Sequence, residues 1–231
     1  MEDAFYRTAR LACRFVRVQC IRQVVLSPQR ADRDGGFILA ITHLSHLEPF
    51  FVGCAVRRVV RWMSRVEFYQ RWWMAQSLRR AGAFPVDRFG NSFGAVRKAV
   101  RLVEAGEIVG IFPEGGVANG PNSVLRGGPL KGGACTIAIA TGRPIVPVVV
   151  LGTDSLNRVA PWLPFRRGKV WIAFGNDVAP APEARPRRED RELMAQRLRS
   201  EFLRTYQRLL AEASLRDEAM LGPAAAARDG A

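Results

Sequence analysis

The sequence predicts an α/β fold: a single mixed, mostly parallel sheet covered by helices on both faces, with an amphipathic helix in front of it. Short apolar runs of strand length recur at 37–42, 59–64, 83–86, 108–112, 145–151 and 170–174. Segments of helical periodicity fall between them, at about 66–80, 92–105 and 131–141. Strands that alternate with helices in this way build a sheet whose faces the helices cover. Gly106 and Gly142 stand where helices would be capped at their carboxyl ends.

Taken in chain order, residues 4–26 read as a helix. Arg7, Arg10, Arg14 and Arg17 form a basic stripe, and Phe5, Ala9, Ala12, Val16 and Cys20 fall on the opposite face. Such a helix suits the surface of an anionic membrane, or equally a surface position packed on its own domain. The run "FILAIT" at 37–42 reads as a buried strand that delivers His43 at its end. Residues 67–80 combine Phe68, Tyr69, Trp72 and Trp73 with Arg71, Arg79 and Arg80, a mixture that fits a lipid interface or core packing. Residues 179–188 look like a linker, and a last helix spans about 189–215. The expected division is therefore an amphipathic segment at 1–30, one enzyme-sized domain at 31–215 and a frayed tail at 216–231.

Net charge narrows the classes of partner. The chain carries a formal charge of +14, mostly from arginine. This implies an anionic membrane or phosphate-bearing substrates, unless it is compositional bias alone. No RNA-binding signature or basic zipper is present, so nucleic acid is not an expected partner. Four scattered cysteines, Cys13, Cys20, Cys54 and Cys135, have no paired spacing. That argues for reduced thiols in the cytoplasm and against a zinc site or disulfide framework. No uncharged run reaches the roughly 18 residues of a spanning helix. The expectation is a cytoplasmic protein that lies on a membrane without crossing it.

Candidate chemistry gathers at strand ends, where sites in α/β sheets form. The first is "THLSHLEP" at 42–49, which holds both histidines of the chain, His43 and His46, together with Glu48. The others are "GAFPVDR" (82–88), "FPEGG" (112–116) and "RPIVPVVV" (143–150). Each signal is weak alone. Ser45 to Glu48 also matches a helix capping box. Pro49, however, fits the first helical position, which would put Glu48 at the N-cap, where glutamate is not favoured.

Together, in this order and spacing, the blocks resemble the glycerolphosphate and lysophosphatidate acyltransferase family. That family shows His-x4-Asp, an Asp-Arg-like pair, Phe-Pro-Glu-Gly and a Val-Pro-rich strand. The resemblance spans about 37–150. It implies that His43 is a general base, that Glu48 orients it in place of the family's Asp, and that the acceptor attacks the thioester directly. A neutral imidazole suits this task near pH 7, since a carboxylate on its other nitrogen fixes the tautomer. By the same resemblance Arg88 grips the acceptor's phosphate, and Glu114 and Gly115 bind the acceptor. The family's Glu-Gly-Thr-Arg is Glu-Gly-Gly-Val here, at 114–117. Arg126 and Lys131 are the candidates to replace the missing arginine. The Val-Pro-rich strand is expected to shape the wall of the site.

The implied activity is transfer of a fatty acyl group to a lysolipid hydroxyl in phospholipid biosynthesis, with 1-acylglycerol-3-phosphate as default acceptor. Acyl-coenzyme A or acyl carrier protein would be the donor, and no cofactor or metal is required. Two other readings remain open. One is a metal-dependent hydrolase using His43, His46 and Glu48, although zinc sites need three or four ligands and no third histidine exists. The other is a non-catalytic lipid-binding relative, prompted by Glu48 and the altered third block.

Overall fold

The computed structural model describes residues 8, 21–87, 93–118, 122–157, 168–185 and 187–217. Among these residues seven strands form one sheet: β1 (Ile21–Leu26), β2 (Phe37–Ile41), β3 (Val60–Arg65), β4 (Phe84–Val86), β5 (Ile108–Ile111), β6 (Ile145–Leu151) and β7 (Gly168–Phe174). Their spatial order is β1-β7-β6-β2-β5-β3-β4. All neighbouring pairs are parallel except β6 and β7. Strands β2 to β6 therefore run one way, and β7 and β1 run the other. The carboxyl ends of β2 to β6 share one edge, and the site is built there.

Among the residues described from Ile21 onward, five α-helices accompany the sheet: α1 (Glu48–Ala55), α2 (Trp72–Arg80), α3 (Phe93–Glu104), α4 (Gly133–Thr141) and α5 (Arg188–Glu212). The central strands β2 and β6 are buried at every position, so they read as continuous apolar runs. Ile38, Ala40, Val149 and Leu151 point to α3, α4 and α5, and meet Ala99, Val103, Ile137, Leu198 and Phe202. Phe37, Leu39, Ile41, Val148 and Val150 point the other way, onto Phe51 and Val52 of α1. Alternation with period two thus sorts one strand's side chains into two cores.

The structure bears out the predicted α/β sheet with helices on both faces, and corrects it in places. Residues 21–26 are strand β1, paired in register with β7 from Ile21–Gly168 to Leu26–Ala173, and are not the end of a helix. Val24 and Val25 fit the pleat better than they fit a helix. The sheet domain consequently begins no later than Ile21, ahead of the expected boundary at 30/31. Before it only Thr8 is described, so the arginine stripe lies outside the described residues, as does nearly all of the tail at 216–231. The expected helix over 66–80 is broken into a 3-10 turn (Val66–Tyr69) and α2. Among the described residues no helix is long and apolar enough to cross a membrane.

Candidate active site

His43 sits two residues past β2 and is held from every side. Its backbone N–H donates to Glu114 Oε2 at 2.7 Å, and its carbonyl accepts from the Ala118 N–H at 2.7 Å. Its ring stacks on Phe112, with centroids 4.2 Å apart. Its Nδ1 lies 3.0 Å from Glu48 Oε2. With Nδ1 committed to the carboxylate, Nε2 is the ring nitrogen left for the cavity that His43 lines. An imidazole with one nitrogen on a carboxylate and the other open is built to take a proton and return it.

Glu48 is fully buried. It stands at the first residue of α1, with Leu47 as N-cap and Pro49 at the second helical position, one residue later in the helix than the sequence suggested. Its side chain makes the reach-back bond of the capping-box reading, to the Ser45 N–H, although the N-cap is Leu47, and it does more than cap. Oε1 accepts the Ser45 N–H at 2.7 Å and also the Thr153 hydroxyl at 2.6 Å, while Oε2 faces His43. A buried carboxylate without donors carries a heavy desolvation penalty; three donors offset it here.

The cavity beside His43 has a volume of about 690 Å³. Its wall is mostly apolar: Pro49, Phe50 and Cys54 come from α1, Trp62 and Met63 from β3, and Met74 and Leu78 from α2. Its polar lining side chains are few: His43, His46, Ser64, Arg65, Asp87 and Lys131. Such a cavity accepts a hydrocarbon chain and offers its reacting end to an imidazole.

The other predicted residues divide. Lys131 reaches the cavity, packed over Gly115. Gly115 has φ +76°, and a Cβ there would lie 2.5 Å from Lys131 Cε, so glycine is needed both for the turn and for the lysine's path. Glu114 does not project freely into the cavity. Its Oε1 accepts from Ser123 Oγ and the Val124 N–H, and its Oε2 from His43 N. Burial pushes its pKa up, against the pull of those three donors and of the nearby His43. The expected contact with acceptor hydroxyls is thus replaced by a structural one, in which Glu114 ties the His43 backbone to the 123–124 turn. Arg126 is likewise not at the cavity. Its Nη1 pairs with Asp217 Oδ2 at 2.5 Å, beside Tyr206 of α5. The Val-Pro-rich strand β6 lies in the cores and contributes no cavity wall. Arg88 lies outside the described residues; Asp87 just before it lines the cavity.

Sequence reasoning missed Thr153 and Phe112's stacking role, whereas the capping-box reading had pointed to the Ser45 N–H on Glu48. Thr153 had one legible signal, its position just past the carboxyl end of a central strand. As for the metal reading, no group of three His, Cys, Asp or Glu side chains among the described residues is arranged to hold an ion. His46 and His43 meet edge to face, with ring centroids 5.8 Å apart, and Glu48 Oε2 is turned to His43.

Comparison with known proteins agrees with this geometry. The family model described as acyltransferase matches residues 22–151. A 1-acyl-sn-glycerol-3-phosphate acyltransferase of Bacillus subtilis (strain 168) is 30% identical over 155 residues, 67% of this chain and 72% of that protein. Its namesake from Streptococcus pneumoniae is 26% identical over 179 residues, 75% of this chain and 61% of that one. The crystal structure of the 1-acyl-sn-glycerophosphate acyltransferase PlsC from Thermotoga maritima shares the fold, with a TM-score of 0.62 at 19% identity over 93% of this chain and 81% of that one. The resemblance in the four sequence blocks is therefore borne out, the hydrolase and non-catalytic readings give way, and the chain belongs to the acyltransferase family.

Proposed function

We propose that this acyltransferase moves a fatty acyl group from a thioester to the free hydroxyl of 1-acylglycerol-3-phosphate, at the cytoplasmic surface of an anionic membrane. The observation that carries the reading is the His43–Glu48 contact opening onto an apolar cavity of about 690 Å³. The names of the bacterial relatives support lysophosphatidate as acceptor. The donor is acyl-coenzyme A or acyl carrier protein; it is a substrate, and no cofactor enters.

The acyl chain occupies the cavity with its thioester carbonyl beside His43. The acceptor hydroxyl attacks that carbon as Nε2 takes its proton, and the carboxylate of Glu48 stabilises the imidazolium. The tetrahedral intermediate collapses, the C–S bond breaks, and the departing sulfur receives the proton. The ester and a free thiol result, and the imidazole is neutral again. Phosphate recognition falls to Lys131 of the cavity lining and to Arg88, which follows the cavity residue Asp87. The third sequence block supplies no arginine, and Arg65, which also lines the cavity, is engaged by Glu67 at 3.2 Å, so the role is assigned to Lys131 and Arg88.

Membrane attachment is supported by α2. It turns Met74 and Leu78 to the cavity and leaves Trp72 80% and Trp73 50% exposed, with Arg79 and Arg80 exposed in its last turn. Exposed tryptophan beside arginine suits the headgroup level of a bilayer. The direct test is thiol release from acyl-coenzyme A and from acyl carrier protein against a panel of lysolipids. Turnover that prefers lysophosphatidate supports the proposal, and a preference for a neutral or zwitterionic lysolipid overturns the acceptor. No turnover with any pair overturns the reaction.

A further inference from the structure

Thr153 lies beyond the stretch matched by the family model, which ends at Leu151. It is fully buried, and its hydroxyl donates to Glu48 Oε1 at 2.6 Å across 105 residues of chain. The fold prepares this contact at both ends. Thr42, at the end of β2, is tied to β6: its N–H donates to Val148 O at 3.1 Å, and its Oγ1 accepts the Val150 N–H at 3.0 Å. The loop that begins at His43 and the loop that begins at Gly152 therefore leave the sheet side by side. Gly152 makes the turn with φ +85°, and a Cβ there would lie 2.4 Å from Lys169 O, so only glycine fits. The next residue then points at the carboxylate.

The division of donors matters more than their number. Ser45 N and Thr153 Oγ1 both fall on Oε1, and among the described residues Oε2 is left to the imidazole. A carboxylate is roughly two-fold about its terminal torsion and swings broadly there. Two donors converging on one oxygen fix that torsion and so aim the other oxygen at Nδ1. Glutamate has one more rotatable bond than the aspartate of the family pattern, hence more freedom to be restrained. We infer that Thr153 is a positioning residue of this acyltransferase, whose hydroxyl locks the Glu48 carboxylate so that the longer side chain orients His43 as an aspartate would.

This inference rests on the proposed His43–Glu48 mechanism, and the experiment separates the two. Thr153→Val keeps the shape and removes the donor; Thr153→Ser keeps the donor and removes a methyl. Steady-state thioester-dependent acylation of lysophosphatidate is measured for both, with His43→Ala and the double variant Glu48→Gln/Thr153→Val alongside. A hydrogen bond to a charged group carries an effect on the order of tenfold or more. Thr153→Val should lower kcat by that order with both KM values held within about twofold, and Thr153→Ser should restore most of it. In the Glu48→Gln background the valine should add little, because the group it restrains is already lost. A merely packing role predicts the reverse ranking, with serine worse than valine, and that ranking overturns the inference. So does a valine variant with unchanged kcat while His43→Ala is inactive. An active His43→Ala overturns the underlying mechanism instead.

Discussion

Glu114 Oε2 accepts the backbone N–H of His43 at 2.7 Å, so a residue of the third sequence block holds the main chain of the first. The same carboxylate gathers Ser123 Oγ and the Val124 N–H on Oε1. Glu114→Gln places an NH2 group against one of these donor sets. The variant should lose about 1–3 kcal/mol of stability by chemical denaturation, the scale of a buried donor left unpaired. Activity should fall mainly in kcat, because His43 moves. A rise confined to the acceptor KM would instead assign Glu114 to substrate hydroxyls.

Glu48 is one methylene longer than the family's aspartate, and the surrounding donors are placed for that length. Glu48→Asp withdraws the carboxylate by about 1.5 Å. It can then no longer meet Ser45 N, Thr153 Oγ1 and His43 Nδ1 together. Restoring the family residue should therefore lower kcat, by about tenfold, instead of raising it. Wild-type or higher kcat in this variant would show that the network adapts to either acid.

These two residues also show what the sequence made legible. The strand runs at 37–42, 108–112 and 145–151 were plain, because buried parallel strands are apolar throughout and cannot be confused with loops. His43 and Glu48 could be paired from spacing and resemblance. Their neighbours could not: Thr153 meets Glu48 only through the adjacency of β2 and β6, a relation of topology that no local pattern encodes. Strand β1 was hidden because its six residues follow an arginine-rich segment of helical period, and its pairing partner β7 lies far along the chain. Arg126 shows the opposite error. Its charge suggested phosphate, but only the fold reveals that Asp217 already holds it.

Trp72 and Trp73 are exposed on the helix whose inner residues line the cavity. Replacing both with Ala should weaken sedimentation with anionic vesicles by roughly tenfold or more, given the apolar area each ring would bury. Unchanged sedimentation would move the membrane contact away from α2.

The two cysteines the structure describes should differ in reactivity. Cys135 is buried in α4, and its thiol is pushed up to about 11 by that burial, so almost no thiolate forms below pH 9. Cys54 is only half-buried and lines the cavity. Brief maleimide treatment at pH 7.5, followed by peptide mapping, should label Cys54 well before Cys135 and inhibit acyl transfer. Prior labelling of Cys135 would mean that α4 opens readily.

The role of His43 is tested most directly by thiol release with the thioester the wild-type enzyme accepts, comparing wild type, His43→Ala and His46→Ala under saturating lysophosphatidate, with fold checked by circular dichroism. General-base catalysis contributes about 10²–10⁴-fold. His43→Ala should fall by that factor, and His46→Ala, whose ring touches the edge of His43 without contacting Glu48 Oε2, should stay within about tenfold of wild type. A folded His43→Ala protein with activity within a few-fold of wild type, or equal losses at both histidines, would contradict the assignment of His43 as the base.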